Sequence, residues 1–107
     1  MNSNSSLDMH SEHLKMVLEI LQKHVPQYDV WAFGSRVKGN AKKFSDLDLV
    51  VISDSAIGLN VSADLSDDFS ESDLPYKVDV VDWATTSESF RKIIEAQYVV
   101  IQLGKKV

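Results

Sequence analysis

Cysteine is absent from this chain of 107 residues, and proline and glycine are scarce. Without thiols the protein can form neither disulfides nor thiolate zinc sites, which is typical of a cytoplasmic protein. No apolar run approaches membrane-spanning length, and the Asn/Ser-rich start lacks the pattern of a signal peptide, so we expect no contact with a membrane. Acidic residues outnumber basic ones, and the formal charge of −5 argues against direct binding to a nucleic-acid backbone.

The rest of the composition is typical of one small folded domain. Hydrophobic residues make up 44% of the chain, which is enough for a globule with a modest core. Neither a repeat nor a linker divides the sequence. We therefore predict a single domain over residues 1–107, with a loose tail over about residues 1–8.

Helical and alternating apolar spacings predict the order of the secondary structure. The predicted elements are a helix over 11–24, a strand over 30–33, a short helix from Arg36 capped by Ser35, a strand over 47–52, a weak helix around 61–69 ended by Pro75, a strand over 77–82, and a last helix that follows a capping-box pattern at Thr85–Glu88 and turns Phe90, Ile93, Ile94 and Gln97 inward. Residues 98–101 either extend that helix or form a strand. Residues 104–107 are predicted to be loose.

The most informative stretch is a Gly-Ser turn followed by two carboxylates. Gly34 and Ser35 follow an apolar strand, and Asp46 and Asp48 come ten residues later. Strand alternation turns both carboxylates to one face, where their repulsion favours a shared proton or cation. Paired carboxylates suit Mg²⁺, whose shell is completed by phosphates and water, and a Gly-Ser turn offers backbone N–H groups to a phosphate. The pattern predicts a metal-assisted nucleotide site.

A basic segment lies between the turn and the carboxylate pair, and it contains Arg36, Lys38, Lys42 and Lys43. Positive charge beside such a site suits a triphosphate. Arg36 either reaches the triphosphate with bidentate hydrogen bonds or lies on the surface, and the sequence leaves both open.

A third carboxylate is expected from the strand at 77–82. Asp79 and Asp82 are an odd number of residues apart, so strand alternation allows only one of them to face the pair. The apolar neighbours favour Asp79, and Asp82 at the strand end suits a turn or cap.

These residues carry a resemblance to a known family. The hydrophobic-Gly-Ser turn and the Asp-hydrophobic-Asp-hydrophobic strand resemble the signature of the DNA polymerase beta-like nucleotidyltransferase superfamily. The short chain and the run from Trp31 to Leu49 resemble its minimal nucleotidyltransferase (MNT) branch, the antitoxin half of HEPN–MNT toxin–antitoxin modules. The similarity continues from Phe69 to Trp83. The resemblance implies an α+β fold, in which a small mixed β-sheet is flanked by helices as in the polymerase beta palm.

The resemblance also implies an activity. Asp46, Asp48 and Asp79 would be catalytic and hold two Mg²⁺ ions, Asp79 standing as the superfamily's third carboxylate. Gly34, Ser35 and Arg36 would bind the nucleotide. ATP would donate AMP to a tyrosine of a partner HEPN toxin, whose RNase activity is thereby silenced, so we expect a hetero-oligomer.

Two other functions remain open at this stage. The chain could neutralise its toxin by binding alone, with an inactive acidic site. It could also be a small-molecule nucleotidyltransferase, although such enzymes usually carry an additional helical domain for the acceptor, and nothing of that size follows Asp82. Substitution of Asp46 and Asp48 distinguishes an enzymatic antitoxin from one that acts by binding alone, because only the enzymatic antitoxin loses protection against its toxin.

Overall fold

The structure is a computed structural model, and it describes residues 7–105. Within that range the helices are α1 (Ser11–His24), α2 (Ser35–Lys38), α3 (Leu59–Glu71) and α4 (Glu88–Ala96), and the strands are β1 (Asp29–Phe33), β2 (Leu47–Ile52), β3 (Val78–Asp82) and β4 (Val99–Gln102). A 3₁₀ turn at Trp83–Thr85 joins β3 to α4.

The strands of the described residues form one mixed sheet in the order β3-β2-β1-β4. Strand β1 runs antiparallel to both β2 and β4, and β2 runs parallel to β3. Parallel strands need a crossover, and α3 supplies it. The predicted fold class, a small mixed sheet flanked by helices, is confirmed.

Helices α1 and α3 cover one face of the sheet. The apolar residues that recur at helical spacing in α1 and α3 meet the alternate apolar residues of the strands, because a strand turns every second side chain to the same face. The buried members of this core are Val17, Leu21, Val25, Val30, Ala32, Val37, Leu47, Leu49, Val51, Leu65, Phe69, Tyr76 and Val99.

The opposite face of the sheet carries a smaller core under α4. Phe33, Val50 and Ile94 are buried there, and Trp31, Trp83 and Phe90 are among the half-buried side chains packed around them. Asp48 and Asp79 belong to this same face, since each alternates with inward-facing residues of the first core.

Several boundaries differ from the predictions. Helix α4 is capped by Ser87, whose Oγ accepts a hydrogen bond from Phe90 N at 3.2 Å, so the capping box at Thr85 was wrong. Ile93 does not face inward, because its side chain is 56% exposed. The ambiguous segment 98–101 is a strand, β4.

The predicted loose ends are tied down where the structure describes them. Leu7 packs against the first core, and Asp8 N donates to Arg36 O at 2.7 Å, so the loose tail does not extend to these residues. Near the other end, Lys105 N donates to Pro26 O at 2.8 Å. Residues 1–6 and 106–107, on which the rest of those predictions fall, lie outside the described residues. No helix in the range 7–105 has the length and apolar character needed to cross a membrane.

Candidate functional site

Asp48 of β2 and Asp79 of β3 lie side by side. They are partners in the parallel strand register, and paired residues of neighbouring strands project to the same side of a sheet. Both side chains line a cavity of about 480 Å³. Lys77 Nζ lies 3.4 Å from Asp79 Oδ1, but both side chains are largely exposed and such a pair is weak. The structure therefore brings together two of the three predicted carboxylates.

Asp46 stands at the edge of this arrangement. It immediately precedes β2, its side chain is exposed, and it is not among the residues that line the cavity. Its charge nevertheless reaches Asp48. Burial raises the pKa of the Asp48 carboxyl above its ordinary value of 3.8, and the negative charges of Asp79 and Asp46 raise this pKa further.

Gly34 closes one wall of the cavity directly against Asp48. Its φ of 83° belongs to a region that residues with a Cβ rarely adopt. A Cβ built on residue 34 would overlap Asp48 Oδ2. The glycine is thus required both by the turn into α2 and by the close approach of the carboxylate to the backbone.

Ser35 differs from its predicted structural role. Gly34 is the N-cap of α2 and Ser35 is its first residue, with no capping hydrogen bond from a side chain. Ser35 is half-buried, next to the glycine that lines the cavity. Its role in binding a nucleotide therefore stays a prediction, but the hydroxyl does not cap the helix.

Arg36 does not face the cavity. Its side chain is only 5% exposed, and its guanidinium donates to the backbone carbonyls of Ser45, Asp8 and Lys43 at 3.1, 3.0 and 3.0 Å. Neither predicted alternative fits, because this side chain neither lies on the surface nor has its donors aimed at a nucleotide.

Lys38 is the basic residue that the structure places at the cavity. It lies two residues beyond Arg36 in α2, and its exposed side chain lines the same space as Asp48 and Asp79. In the sequence Lys38 is one of four basic residues between the Gly-Ser turn and Asp46, and no local pattern there marks it as a cavity residue. Helix α4 forms a further wall of the cavity through Phe90, Ile93 and Gln97. No local sequence motif predicts that these residues line the cavity.

Asp82 has the capping role that its position at the strand end predicted. Its carboxylate accepts hydrogen bonds from Ser53 Oγ, from Ile57 N at 2.8 Å and from Ala84 N at 3.3 Å. These contacts cap the 3₁₀ turn after β3 and hold the loop that follows β2. Asp82 is therefore absent from the cavity that contains Asp79.

The donor set fits a divalent cation that the substrate helps to bind. Oxygen ligands and mutually repelling carboxylates suit Mg²⁺. Among residues 7–105 no three acidic or histidine side chains are close enough to form a complete metal site. A larger and more open groove of about 620 Å³ lies between the segment 7–10 and α2, and it contains none of the predicted carboxylates.

Paired carboxylates on adjacent strands beside a Gly-Ser turn define a nucleotidyltransferase-type site. The family model described as "Polymerase beta, Nucleotidyltransferase" matches residues 15–105. The chain belongs to this family of nucleotidyltransferases, and the resemblance to its minimal branch is confirmed.

Similar proteins are known by name and by structure. Over 106 residues the chain is 58% identical to a Haemophilus influenzae protein named "Probable protein adenylyltransferase MntA", covering 99% of this chain and 93% of that protein. A crystal structure of a toxin–antitoxin with AMP-PNP superposes with a TM-score of 0.72 at 20% identity, over 87% of this chain and 74% of the other.

A second solved structure contains a tri-AMPylated Shewanella oneidensis HEPN toxin in complex with MNT antitoxin. It superposes with a TM-score of 0.67 at 19% identity, over 91% of this chain and 74% of the other. At such identities these two structures establish the shared fold alone.

Proposed function

We propose that this protein is a Mg²⁺-dependent adenylyltransferase that moves AMP from ATP to a tyrosine hydroxyl of a partner HEPN toxin and acts as its antitoxin. The observation that carries the proposal is the pairing of Asp48 with Asp79 in a cavity whose wall is the Gly34 backbone. The 58% identity to a protein named as an adenylyltransferase, over nearly the whole of both chains, supports the same activity.

The raised pKa of Asp48 supports the cation requirement. Burial and the negative charges of Asp79 and Asp46 disfavour the ionised form of Asp48, and a bound cation would offset that repulsion. When bound, two Mg²⁺ ions would neutralise charge on the phosphoryl oxygens and on the departing pyrophosphate. Asp46, Asp48 and Asp79 would hold the ions, and the phosphates of ATP would complete the ligand shells.

The chain's own groups have separate tasks in the transfer. The cavity beside Gly34 and Lys38 orients the triphosphate, and Lys38 offsets part of its negative charge. Asp79 accepts the proton of the acceptor hydroxyl. The acceptor oxygen then forms a bond to the α-phosphorus, the bond from that phosphorus to the bridging oxygen breaks, and pyrophosphate leaves.

A protein acceptor is supported by the relatives. The solved complex of a HEPN toxin with MNT antitoxin contains a tri-AMPylated toxin, and other structural neighbours are toxin–antitoxin pairs. We therefore assign the acceptor to a HEPN protein and the working state to a hetero-oligomer.

Co-expression with the HEPN partner tests the proposal. Mass spectrometry of the toxin should show AMP on a tyrosine when the wild-type chain is present and none with Asp48→Asn. The matched control is Asp64→Asn, which removes an exposed carboxylate from α3 far from the cavity. Cells should survive toxin expression with the control and die with Asp48→Asn.

Two results would contradict the proposal in different ways. Survival with Asp48→Asn, without any modified toxin, would show that the chain neutralises its partner by binding alone. Transfer of AMP to a small-molecule hydroxyl, with an unmodified toxin, would identify a small-molecule nucleotidyltransferase instead.

A further inference from the structure

Arg36 is a buried cation whose hydrogen-bond donors are satisfied without a carboxylate. Among the described residues it has no acidic partner at ion-pair distance. Its three nitrogens instead each donate to a backbone carbonyl, on Asp8, Lys43 and Ser45. A buried charge is costly unless its donors are satisfied, so this side chain fixes the positions of the carbonyls around it.

Two of those carbonyls belong to the loop that delivers Asp46. Nε of Arg36 bonds Ser45 O at 3.1 Å, directly before Asp46, and Nη2 bonds Lys43 O at 3.0 Å. The same loop closes on itself, because Lys42 N donates to Ser45 Oγ at 2.8 Å. The guanidinium of Arg36 therefore anchors the backbone directly before Asp46, in addition to the hydrogen bonds within the loop.

The face of the guanidinium contacts the segment that delivers Asp79. Cζ of Arg36 lies 3.8 Å from the centroid of the Tyr76 ring, and Tyr76, only 9% exposed, stands three residues before Asp79. Arg36 itself follows Gly34 by two residues. One side chain thus contacts the segments leading into β2 and β3 from a position beside the Gly-Ser turn.

We infer that Arg36 is a positioning residue, which sets the separation of Asp46, Asp48 and Asp79 from the Gly-Ser turn without touching the nucleotide. This deepens the proposed function and rests on it for the readout of AMP transfer. Arginine suits the task because its planar fork directs donors towards several carbonyls at once while its face stacks on a ring. A lysine ammonium is a single point charge and cannot span the same three acceptors.

Arg36→Lys is the variant that tests this assignment, and Arg91→Lys is its matched control. Arg91 also stacks on an aromatic ring, with Cζ 4.7 Å from the Trp83 centroid, and also donates to a backbone carbonyl, Trp83 O at 2.6 and 3.1 Å. It contacts neither of the segments held by Arg36. Comparing Arg36→Lys with Arg91→Lys therefore distinguishes the general effect of losing a stacked, hydrogen-bonded arginine from the specific effect of losing Arg36.

Three measurements on the purified variants decide the question. Amide hydrogen exchange at residues 43–46 should rise in Arg36→Lys and stay unchanged in Arg91→Lys. Calorimetric Mg²⁺ binding with AMP-PNP should weaken about ten- to hundredfold, the usual loss when a group that orients metal ligands is removed. AMP transfer by Arg36→Lys should fall as well. Excess Mg²⁺ should partly restore this transfer, because the carboxylates are displaced and not lost. Excess Mg²⁺ should not restore transfer by Asp46→Asn, which lacks one of the carboxylates.

The inference is overturned if amide exchange at residues 43–46 is unchanged, whatever the activity. It is also overturned if Arg36→Lys only lowers the melting temperature and leaves the Mg²⁺ dependence as in Arg91→Lys, since Arg36 would then serve stability alone. A wild-type chain that transfers no AMP would contradict the proposed function and still leave the exchange comparison decisive. If Arg36→Lys does not fold, Tyr76→Leu removes the stacking surface and is measured in the same way.

Discussion

Gly34 and Asp48 are in such close contact that no side chain fits between them. The φ of 83° at Gly34 turns the chain from β1 into α2, and the same turn brings the backbone against the Asp48 carboxylate. The turn that we propose to bind the nucleotide and a carboxylate that we propose to bind the metal are therefore in direct contact. A change at either residue disturbs both.

We expect Gly34→Ala to destroy nucleotide binding. Its Cβ would overlap Asp48 Oδ2 and would also force a residue with a side chain to adopt a positive φ. Gly39→Ala is the matched control, because Gly39 has a φ of 84° but open space around the position of its missing Cβ. Gly39→Ala costs about 1–2 kcal/mol of backbone strain, because Gly39 is in the left-handed helical region. Gly34, with a ψ of −157°, is in a region that is essentially limited to glycine, so Gly34→Ala costs about 1–3 kcal/mol in strain before any overlap with Asp48. Calorimetry with Mg²⁺ and AMP-PNP should show binding for Gly39→Ala and none for Gly34→Ala; equal binding would contradict the role of this contact.

Ser35→Ala should weaken nucleotide binding with little effect on stability. Because the Ser35 hydroxyl does not cap α2, its removal costs no capping energy. Ser87→Ala is the opposite case: its Oγ caps α4 by accepting from Phe90 N, so its loss should cost about 1 kcal/mol and leave binding intact. Thermal melts of the two variants measure the effect on stability, and nucleotide titrations measure the effect on binding. A Ser35→Ala protein that melts lower but binds normally would remove Ser35 from the site.

The strands and the first helix were predictable because their signals are local. The apolar spacing in α1 and the alternation in β2 and β3 each lie within one element. Alternation also predicted that Asp79 and Asp82 face opposite ways, and the apolar neighbours favoured Asp79; the register places Asp79 beside Asp48. Such arguments need no knowledge of which elements are neighbours.

The roles of Arg36 and Lys38 could not be separated in the same way. In a helix, residues two apart point about 200° from each other, so one of them faces the cavity and the other the core. Which is which depends on how α2 sits on the sheet. That placement is fixed by carbonyls of Asp8, Lys43 and Ser45, and none of these carbonyls leaves a signal in a side-chain pattern. The wall contributed by α4 depends in the same way on tertiary packing.

Asp48→Asn should stabilise the metal-free protein at neutral pH. The pKa of Asp48 is raised in the folded state by burial and by Asp79 and Asp46, so ionisation of this group favours the unfolded chain. The cost is absent below the ordinary pKa of 3.8, grows as the pH rises, and is complete above the folded-state pKa.

The melting temperature measured against pH checks this sign. We expect Asp48→Asn to melt above wild type at pH 7, by a free energy on the order of 1 kcal/mol or less because the group is partly solvated, and to converge with it in acid. Mg²⁺ with AMP-PNP should raise the melting temperature of the wild type only. A variant that melts lower at pH 7 would show that Asp48 is stabilised, and not repelled, by its surroundings.

Asp79→Asn and Asp82→Asn should divide activity from stability. Asp79 lines the cavity, and within residues 7–105 its side chain pairs only with the exposed Lys77, so Asp79→Asn should abolish AMP transfer while the melting temperature changes little. Asp82 accepts from Ser53, Ile57 and Ala84, and an amide cannot serve all three donors, so Asp82→Asn should cost about 1–2 kcal/mol and retain transfer. Mass spectrometry of the co-expressed toxin and thermal melts of each variant measure the two effects. Transfer that persists with Asp79→Asn and vanishes with Asp82→Asn at a temperature where both are folded would reverse the assignment. It would require the register of β3 to shift by one residue, so that Asp82 and not Asp79 lies on the face that carries Asp48.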